Sequence, residues 1–427
     1  MSMNETNLER VLIVGVELSS DTIDIETSMD ELQELVKAAG GIVISRVIQK
    51  KESIHPAHFI GKGKAEEIRN YCEEMDITTV VFNDELSGAQ LRNLEGMIDK
   101  KIVDRTNLIL DIFASRASTS EGKLQVKLAQ MKYRLPRLIG FNDYLSRTGG
   151  GIGTRGPGEQ KLETDRRHIL REIDNIEKQL KEVEHVRSVK RKKREESDLP
   201  IVALVGYTNA GKSTLLNNLM KFNDDTIEKK QVFVEDMLFA TLDTSLRRSK
   251  LPNGQIFLIT DTVGFVSKLP TRLIEAFKGT LEEVKYADLL LHVVDASNKD
   301  LDIQIKTTFN ILKDLDVLDK PIITVFNKMD KVDIHNLIYD NTFVDNKIFI
   351  SAKNNANIDK LMELIEEKLP QQYKAVTLKI PYDKQSLLNY FMNDYDVSNI
   401  DYQEDGTLIK LIINQIDYEK YKDLIVV

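Results

Sequence analysis

Between Pro200 and the helical pattern that opens at Thr214 lies a short apolar run, Ile201-Val202-Ala203-Leu204-Val205. It is followed by Gly206-Tyr207-Thr208-Asn209-Ala210-Gly211-Lys212-Ser213. Strand, G-x-x-x-x-G-K-S, helix is an order that suits one task, the cradling of nucleotide phosphates. The glycines let backbone N–H groups approach phosphate oxygens, Lys212 neutralises the β and γ groups, and the Ser213 hydroxyl can ligate Mg²⁺.

Four further motifs follow along the chain. The strand pattern Gln255–Thr260 ends in Asp261-Thr262-Val263-Gly264, a carboxylate beside the Mg²⁺ sphere and a glycine N–H where a γ-phosphate would sit. Upstream of it, Phe239-Ala240-Thr241-Leu242-Asp243 offers Thr241 to close over the metal when a third phosphate is present, and to release the loop when it is lost. The strand pattern Pro321–Phe326 ends in Asn327-Lys328-Met329-Asp330, and Ile348–Ile350 ends in Ser351-Ala352-Lys353. Asp330 can accept from the ring N–H and the exocyclic amine of guanine, whereas adenine would leave that carboxylate unpaired. The Lys328 stem can lie against the ring, and the Ser351–Lys353 backbone can donate to the guanine O6. GTP and GDP are therefore the expected ligands, with Ser213 and Thr241 as metal ligands. Lys212, Asn209, Thr241, Asp261 and Gly264 are the residues expected to act on hydrolysis. Phe265 stands where signalling GTPases carry a water-orienting glutamine, so slow intrinsic turnover is expected. Asn209 sits where related GTPases hold a K⁺ ion, and K⁺ stimulation is an expectation.

The elements that must position these residues can be read outward from them. At roughly 150 residues per domain, 427 residues suggest about three folded units. The expected class is α/β throughout. Residues 1–105 alternate strand and helix patterns (Val11–Val16, Met29–Ala39, Ile42–Ile48, Ala65–Met75, Thr79–Phe82, Ala89–Ile98), which argues for a parallel sheet. Residues 106–198 read as an antiparallel helical pair with a loop at 149–158. Residues 199–370 read as a P-loop domain with a mostly parallel sheet, and 371–427 as a small α+β domain ordered strand, helix, strand, strand. Apolar runs stay far below the ~20 residues of a spanning helix. With one cysteine, Cys72, and no basic or apolar leader in Met1–Arg10, a cytoplasmic, monomeric protein is expected.

Charge and glycine are unevenly placed. The net charge of −9 hides a basic middle: residues 101–200 carry 22 basic and 15 acidic side chains, between two acidic segments. Such a reversal suits contact with a polyanion, or two solvated helices whose cations pair with their own glutamates. Six of the 21 glycines fall in Gly149-Gly150-Gly151-Ile152-Gly153-Thr154-Arg155-Gly156-Pro157-Gly158. Glycine loses too much backbone entropy for this to be a regular element, and the nearby Arg147 and Arg155 suit a phosphate-contacting loop.

The ordered motifs resemble those of translation-factor-class P-loop GTPases. The upstream segments Gly150–Glu159, Lys161-Leu162-Glu163-Thr164-Asp165-Arg166-Arg167, Asp104-Arg105-Thr106 and Glu121–Val126 resemble the HflX family in particular, over nearly residues 10–370. Gln160 and Thr244-Ser245-Leu246 depart from the family's usual letters, away from the nucleotide. The resemblance implies a GTPase that binds the 50S subunit and its ribosomal RNA, splits stalled or idle 70S ribosomes under stress, and can also use ATP. It further implies that the helical pair and its loop reach toward the peptidyl-transferase region. A GTPase of large-subunit assembly and a nucleotide-gated ribosome-binding module are the alternatives.

Overall fold

Four strands rich in β-branched residues, β1 (Glu9–Leu18), β2 (Gly41–Lys51), β3 (Thr79–Phe82) and β4 (Lys101–Asp104), form an all-parallel sheet in the order β2-β1-β3-β4. The computed structural model describes residues 8–19, 24–139, 157–195, 199–221, 239, 246–268, 283–333, 337–340, 342, 344–369, 373–395 and 397–426. Helices α1 (Ile25–Ala38), α2 (Lys62–Glu74), α3 (Gly88–Ile98) and α4 (Arg105–Arg116) cover the two faces of this first sheet. Val11 and Ile13 of β1 pack with Met29, Leu32, Ile109 and Phe113, while Leu12 and Val14 pack with Ile68 and Leu94. Burial on both faces is why the strand shows no polar alternation. Local chemistry starts the helices: Asp24 caps α1 at Thr27 N, Ser87 and Gln90 form a capping box on α3, and Asp104 caps α4 at Asn107 N.

Helices α5 (Ser120–Ile139) and α6 (Pro157–Glu195) run side by side. Glu121, early in α5, pairs with Arg187, late in α6, so the two are antiparallel; Lys127–Glu172 and Lys132–Glu177 add rungs. The glycine loop falls outside the described residues, apart from the helical Pro157 and Gly158.

The next sheet has six strands in the order β10-β9-β8-β5-β7-β6. These are β5 (Ile201–Gly206), β6 (Leu246–Lys250), β7 (Ile256–Asp261), β8 (Leu289–Asp295), β9 (Ile322–Asn327) and β10 (Asn346–Phe349), all parallel except β6 at the edge. Helices α7 (Lys212–Lys221) and α9 (Ile358–Lys368) bury one face, and α8 (Leu301–Asp314) the other. A final antiparallel sheet, β12-β13-β11-β14, is built from β11 (Tyr373–Ile380), β12 (Val397–Gln403), β13 (Gly406–Asn414) and β14 (Ile425–Val426), with α10 (Gln385–Asp394) and α11 (Gln415–Lys420) packed beside it. The expected strand, helix, strand, strand order holds up to β13; α11 and β14 are additions whose apolar residues are too few to show in the sequence pattern. Among the described residues no helix is long and apolar enough to cross a membrane.

His292 is fully buried in β8, edge-on to Phe309 at 5.3 Å, and neither ring nitrogen has a hydrogen-bond partner among the described residues. Burial, with the Lys212 charge adding to it, pushes its pKa down to about 3. The ring is therefore neutral when folded and takes up a proton only on unfolding, so this group costs stability as pH falls below the unfolded value of ~6.5. Between there and pH 5 the cost is about 2 kcal/mol at ~1.4 kcal/mol per unit. Denaturation of wild type and His292→Gln at pH 7.5 and 5.0 should show the wild type losing about 2 kcal/mol more; equal losses would refute this account.

Candidate functional site

Strands β5, β7, β9 and β10 point their carboxyl ends at one rim, the edge at which open α/β sheets bind ligands. The loop from Gly206 to Gly211 leaves β5 there and feeds directly into α7. Its two glycines are sterically required. Gly206 has φ +146° and a Cβ would lie 2.2 Å from Val293 O; Gly211 has φ +92° and a Cβ would meet the Asn327 amide at 2.2 Å. The Lys212 ammonium is buried and donates to Gly206 O (3.0 Å) and Tyr207 O (2.8 Å). Burial pushes its pKa down to about 8, with Asp261 opposing. Neutral carbonyls are modest partners for a buried cation, so an anion entering the loop gains a charge already stripped of water.

Ser213 Oγ donates to Asp261 Oδ2 at 2.6 Å, which brings a hydroxyl from α7 and a carboxylate from the end of β7 to one point. Two hard oxygen donors beside a phosphate cradle fit a Mg²⁺ ion, which neutralises phosphate charge when bound. Gly264 is packed tightly: a Cβ there would be 2.6 Å from Thr208 Cγ2 and 3.1 Å from Lys212 Nζ. Thr262 Oγ1 is tied to Leu204 O at 2.7 Å, and Val263 is buried beside it. Phe265 bridges onto the loop, its N–H donating to Gly206 O (3.1 Å) and its carbonyl accepting from Thr208 N (2.8 Å). Its ring is buried with Ala203, Val205 and Val284 and so points into the core.

At the other end of the rim, Asn327 is a double clamp. Its amide donates to Ala210 O at 2.9 Å, and its carbonyl accepts from Ala352 N at 2.9 Å. Lys328, at φ +63°, donates to Asn209 O (2.7 Å) and to Asp295 Oδ2 (2.8 Å). Ser351 donates to Asp330 Oδ1 at 2.5 Å, the main reason that this exposed carboxyl sits below its ordinary pKa range. Met329 N bonds Ile350 O at 3.1 Å, and Lys353 is exposed next to them. An exposed acceptor at Asp330 and a lysine stem fixed across the loop stand beside the exposed Lys353, an arrangement that can read the edge of a planar base.

Of the residues expected from the sequence, the structure brings together Gly206–Ser213, Asp261–Gly264, Asn327–Asp330 and Ser351–Lys353; Thr214 follows in the first turn of α7. Ala240, Thr241, Leu242 and Asp243 lie outside the described residues. Phe239 is placed elsewhere: it is buried with its ring edge-on to Phe113 of α4 at 4.5 Å, because a phenyl ring gains more from that apolar pocket than from a polar rim. Sequence reasoning missed Asp295, whose place at the carboxyl end of β8 was the available clue, and Asn218, whose amide holds Ala352 O at 2.5 Å. On the helical pair, Arg166 and Arg167 both reach Glu163 (3.7 and 2.9 Å) and Lys178 reaches Asp174 (2.8 Å), so part of the basic surface is paired within its own helix.

Comparisons with known proteins bear on the family of the chain. Three family models match in succession: GTP-binding GTPase N-terminal over residues 26–114, GTP-binding GTPase middle region over 116–194, and 50S ribosome-binding GTPase over 201–328. The GTPase HflX of Caldanaerobacter subterraneus subsp. tengcongensis is 48% identical over 418 residues, 98% of this chain and 94% of that one. The GTPase HflX of Lacrimispora saccharolytica is 48% identical over 405 residues (95% and 93%), and that of Escherichia coli K12 is 38% identical over 402 (94% and 92%). Among solved structures, a GTP-binding protein from Sulfolobus solfataricus in complex with GDP aligns with a TM-score of 0.43 at 24% identity, covering 84% of this chain and 98% of that one. With motifs, geometry and near full-length identity in accord, the chain belongs to the HflX family of GTPases.

Proposed function

We propose that this GTPase acts on the ribosome: with GTP bound it docks on the 50S subunit and drives apart stalled or idle 70S particles, and hydrolysis releases it. Lys212 and the N–H groups of Gly206–Thr214 hold the phosphates, Ser213 and Asp261 hold Mg²⁺ with Thr241 joining in the triphosphate state, and Gly264 N–H meets the γ-phosphate. Asn327, Lys328 and Asp330 with Ser351, Ala352 and Lys353 read guanine. The observation that carries the nucleotide part is the convergence of the Asn327 amide on both the phosphate loop and the Ser351 segment, which fixes the distance between phosphate and base subsites. The family model of a 50S ribosome-binding GTPase and the basic helical pair support the ribosome part.

Because the Phe265 ring is turned into the core, the attacking water must be ordered by backbone groups, a monovalent cation or the partner. Turnover is therefore slow alone and rises on 50S subunits, whereas a nucleotide-gated module with incidental hydrolysis would show no such rise. With Asn209 as the cation ligand, exchanging KCl for NaCl lowers the rate; equal rates would remove the cation.

Asp330→Asn should lose GTP affinity and gain xanthosine triphosphate, whose 2-oxo group accepts where guanine donates; losing hydrogen bonds to an exposed carboxylate, about 1.5–3 kcal/mol, corresponds to about 10- to 100-fold. Unchanged GTP affinity would refute the assignment of the base. Sedimentation of 70S particles with the protein and GTP should show free 30S and 50S peaks, and association should weaken steeply with salt if ribosomal RNA phosphates are the contact. Intact 70S peaks at saturating protein, or salt-insensitive binding, would count against the reading.

A further inference from the structure

Glu31 of α1 lies far from the phosphate loop in sequence and touches it in space. Its carboxylate accepts from the Tyr207 hydroxyl, from the Arg105 guanidinium, from Ser267 N (3.1 Å) and from the Ser267 hydroxyl. Arg105 also donates to Ser267 O (3.1 Å), Ser267 Oγ (3.0 Å) and Asn83 Oδ1 (2.9 Å). The pair is almost withdrawn from water, with Arg105 2% and Glu31 12% exposed. Tyr207 is the second residue of the phosphate loop, and Ser267 stands three residues beyond Gly264. Burial and the neighbouring Glu31 carboxylate raise the Tyr207 pKa well above its usual value, which keeps the hydroxyl a donor.

An apolar grip runs beside this polar one. Val263 and Val266, which flank Gly264, and Phe239, which precedes Ala240-Thr241, share one buried cluster with Met29, Leu32 and Phe113 of the N-terminal sheet layer. Lys268–Asp84 (2.5 Å) and Thr27–Asp300 (3.1 Å) extend the contact on either side.

We infer that Glu31 and Arg105 are positioning residues of the nucleotide site, through which the N-terminal α/β unit senses whether a third phosphate is bound. Only Phe265 and Val266 separate Gly264 from Ser267, and Val263 and Val266 are packed in one buried cluster with α1 and α4, so a shift of Gly264 toward or away from a γ-phosphate disturbs the packing that seats Ser267 on Glu31. Ser267 cannot leave Glu31 without exposing a buried carboxylate and guanidinium to an incomplete set of partners, which is costly. Either α1 follows the loop or it restrains it. In both cases the docking free energy of the N-terminal unit enters the difference between GTP and GDP affinity, and by linkage the nucleotide biases the docking equally. This rests on guanine-nucleotide binding and not on the ribosome.

The test uses the full chain. Dissociation constants for GDP and a non-hydrolysable GTP analogue are measured for wild type, Glu31→Gln, Glu31→Asp and Ser267→Ala, each checked for folding by thermal unfolding. In Glu31→Gln and Ser267→Ala the ratio of the two constants should depart from wild type by about fivefold or more, in the same direction, as for a modest allosteric coupling. Glu31→Asp should fall between. Spin labels at the exposed positions 66 and 360 should report a distance that differs between the two nucleotides in wild type and converges in the variants. Ratios within about twofold of wild type in both variants, or a distance change that survives them, would overturn the inference. Ser267→Ala leaves the Glu31–Arg105 pair intact and decides the matter if the Glu31 variants fail to fold. A wild type that binds neither nucleotide would overturn the site assignment as well.

Discussion

One buried amide holds the rim of the central sheet in register. Asn327 is almost inaccessible, and its two ends satisfy Ala210 O on the phosphate loop and Ala352 N on the last loop. Removing it would orphan both groups at about 1–3 kcal/mol each. It also fills the space that a side chain on Gly211 would need, so the tight turn and the clamp require each other. Around this point Lys328 ties Asn209 to Asp295, and Asn218 reaches Ala352 from the opposite side. The spacing between the Gly206–Ser213 loop and the Ser351 segment is thus built into the protein, a preorganisation that lowers the cost of binding any ligand that spans them.

Electrostatics at the phosphate end follow the same logic. Among the described residues Lys212 sits in a low-dielectric position with two carbonyls and the nearby Asp261 to compensate it, and its depressed pKa follows from that burial. An incoming phosphate compensates the buried charge. The Ser213–Asp261 contact brings two oxygen donors to the place where a metal would bridge to the phosphates. At the other end of the rim the Asp330 carboxylate is exposed and held by the Ser351 hydroxyl, which leaves its outer lone pairs available.

The N-terminal layer is part of this site and not merely attached to it. Val263 and Val266 bury themselves with α1 and α4, and the Glu31–Arg105 pair closes over Ser267 and Tyr207. Asp104-Arg105-Thr106, legible in the sequence only as a family resemblance, acquires a physical reason. Asp104 caps α4 and takes the Tyr133 hydroxyl and Arg137, which joins the sheet to the helical pair, while Arg105 turns the other way into the phosphate-loop contact.

Much of the fold was legible because its determinants are local. Largely apolar runs of three to six residues before Asp261, Asn327 and Ser351 marked strands ending in motif residues, and the glycine-lysine-serine turn stated its own backbone requirement. The convergence of Gly206–Ser213, Asp261–Gly264, Asn327–Asp330 and Ser351–Lys353 on one edge followed from residue type and spacing for the same reason: short loops at one sheet edge leave little freedom. Glu31, the partner of Asp295 and the destination of Phe239 were not legible. Each depends on which surfaces meet after some 30 to 240 residues of intervening chain, and a carboxylate on an amphipathic helix carries no mark of the partner it will find. Chain chemistry by itself determined a guanine-nucleotide rim on a parallel sheet. Only tertiary packing decided that another layer of the protein would hold that rim's moving segments, because buried charge networks are set by long-range juxtaposition and not by local pattern.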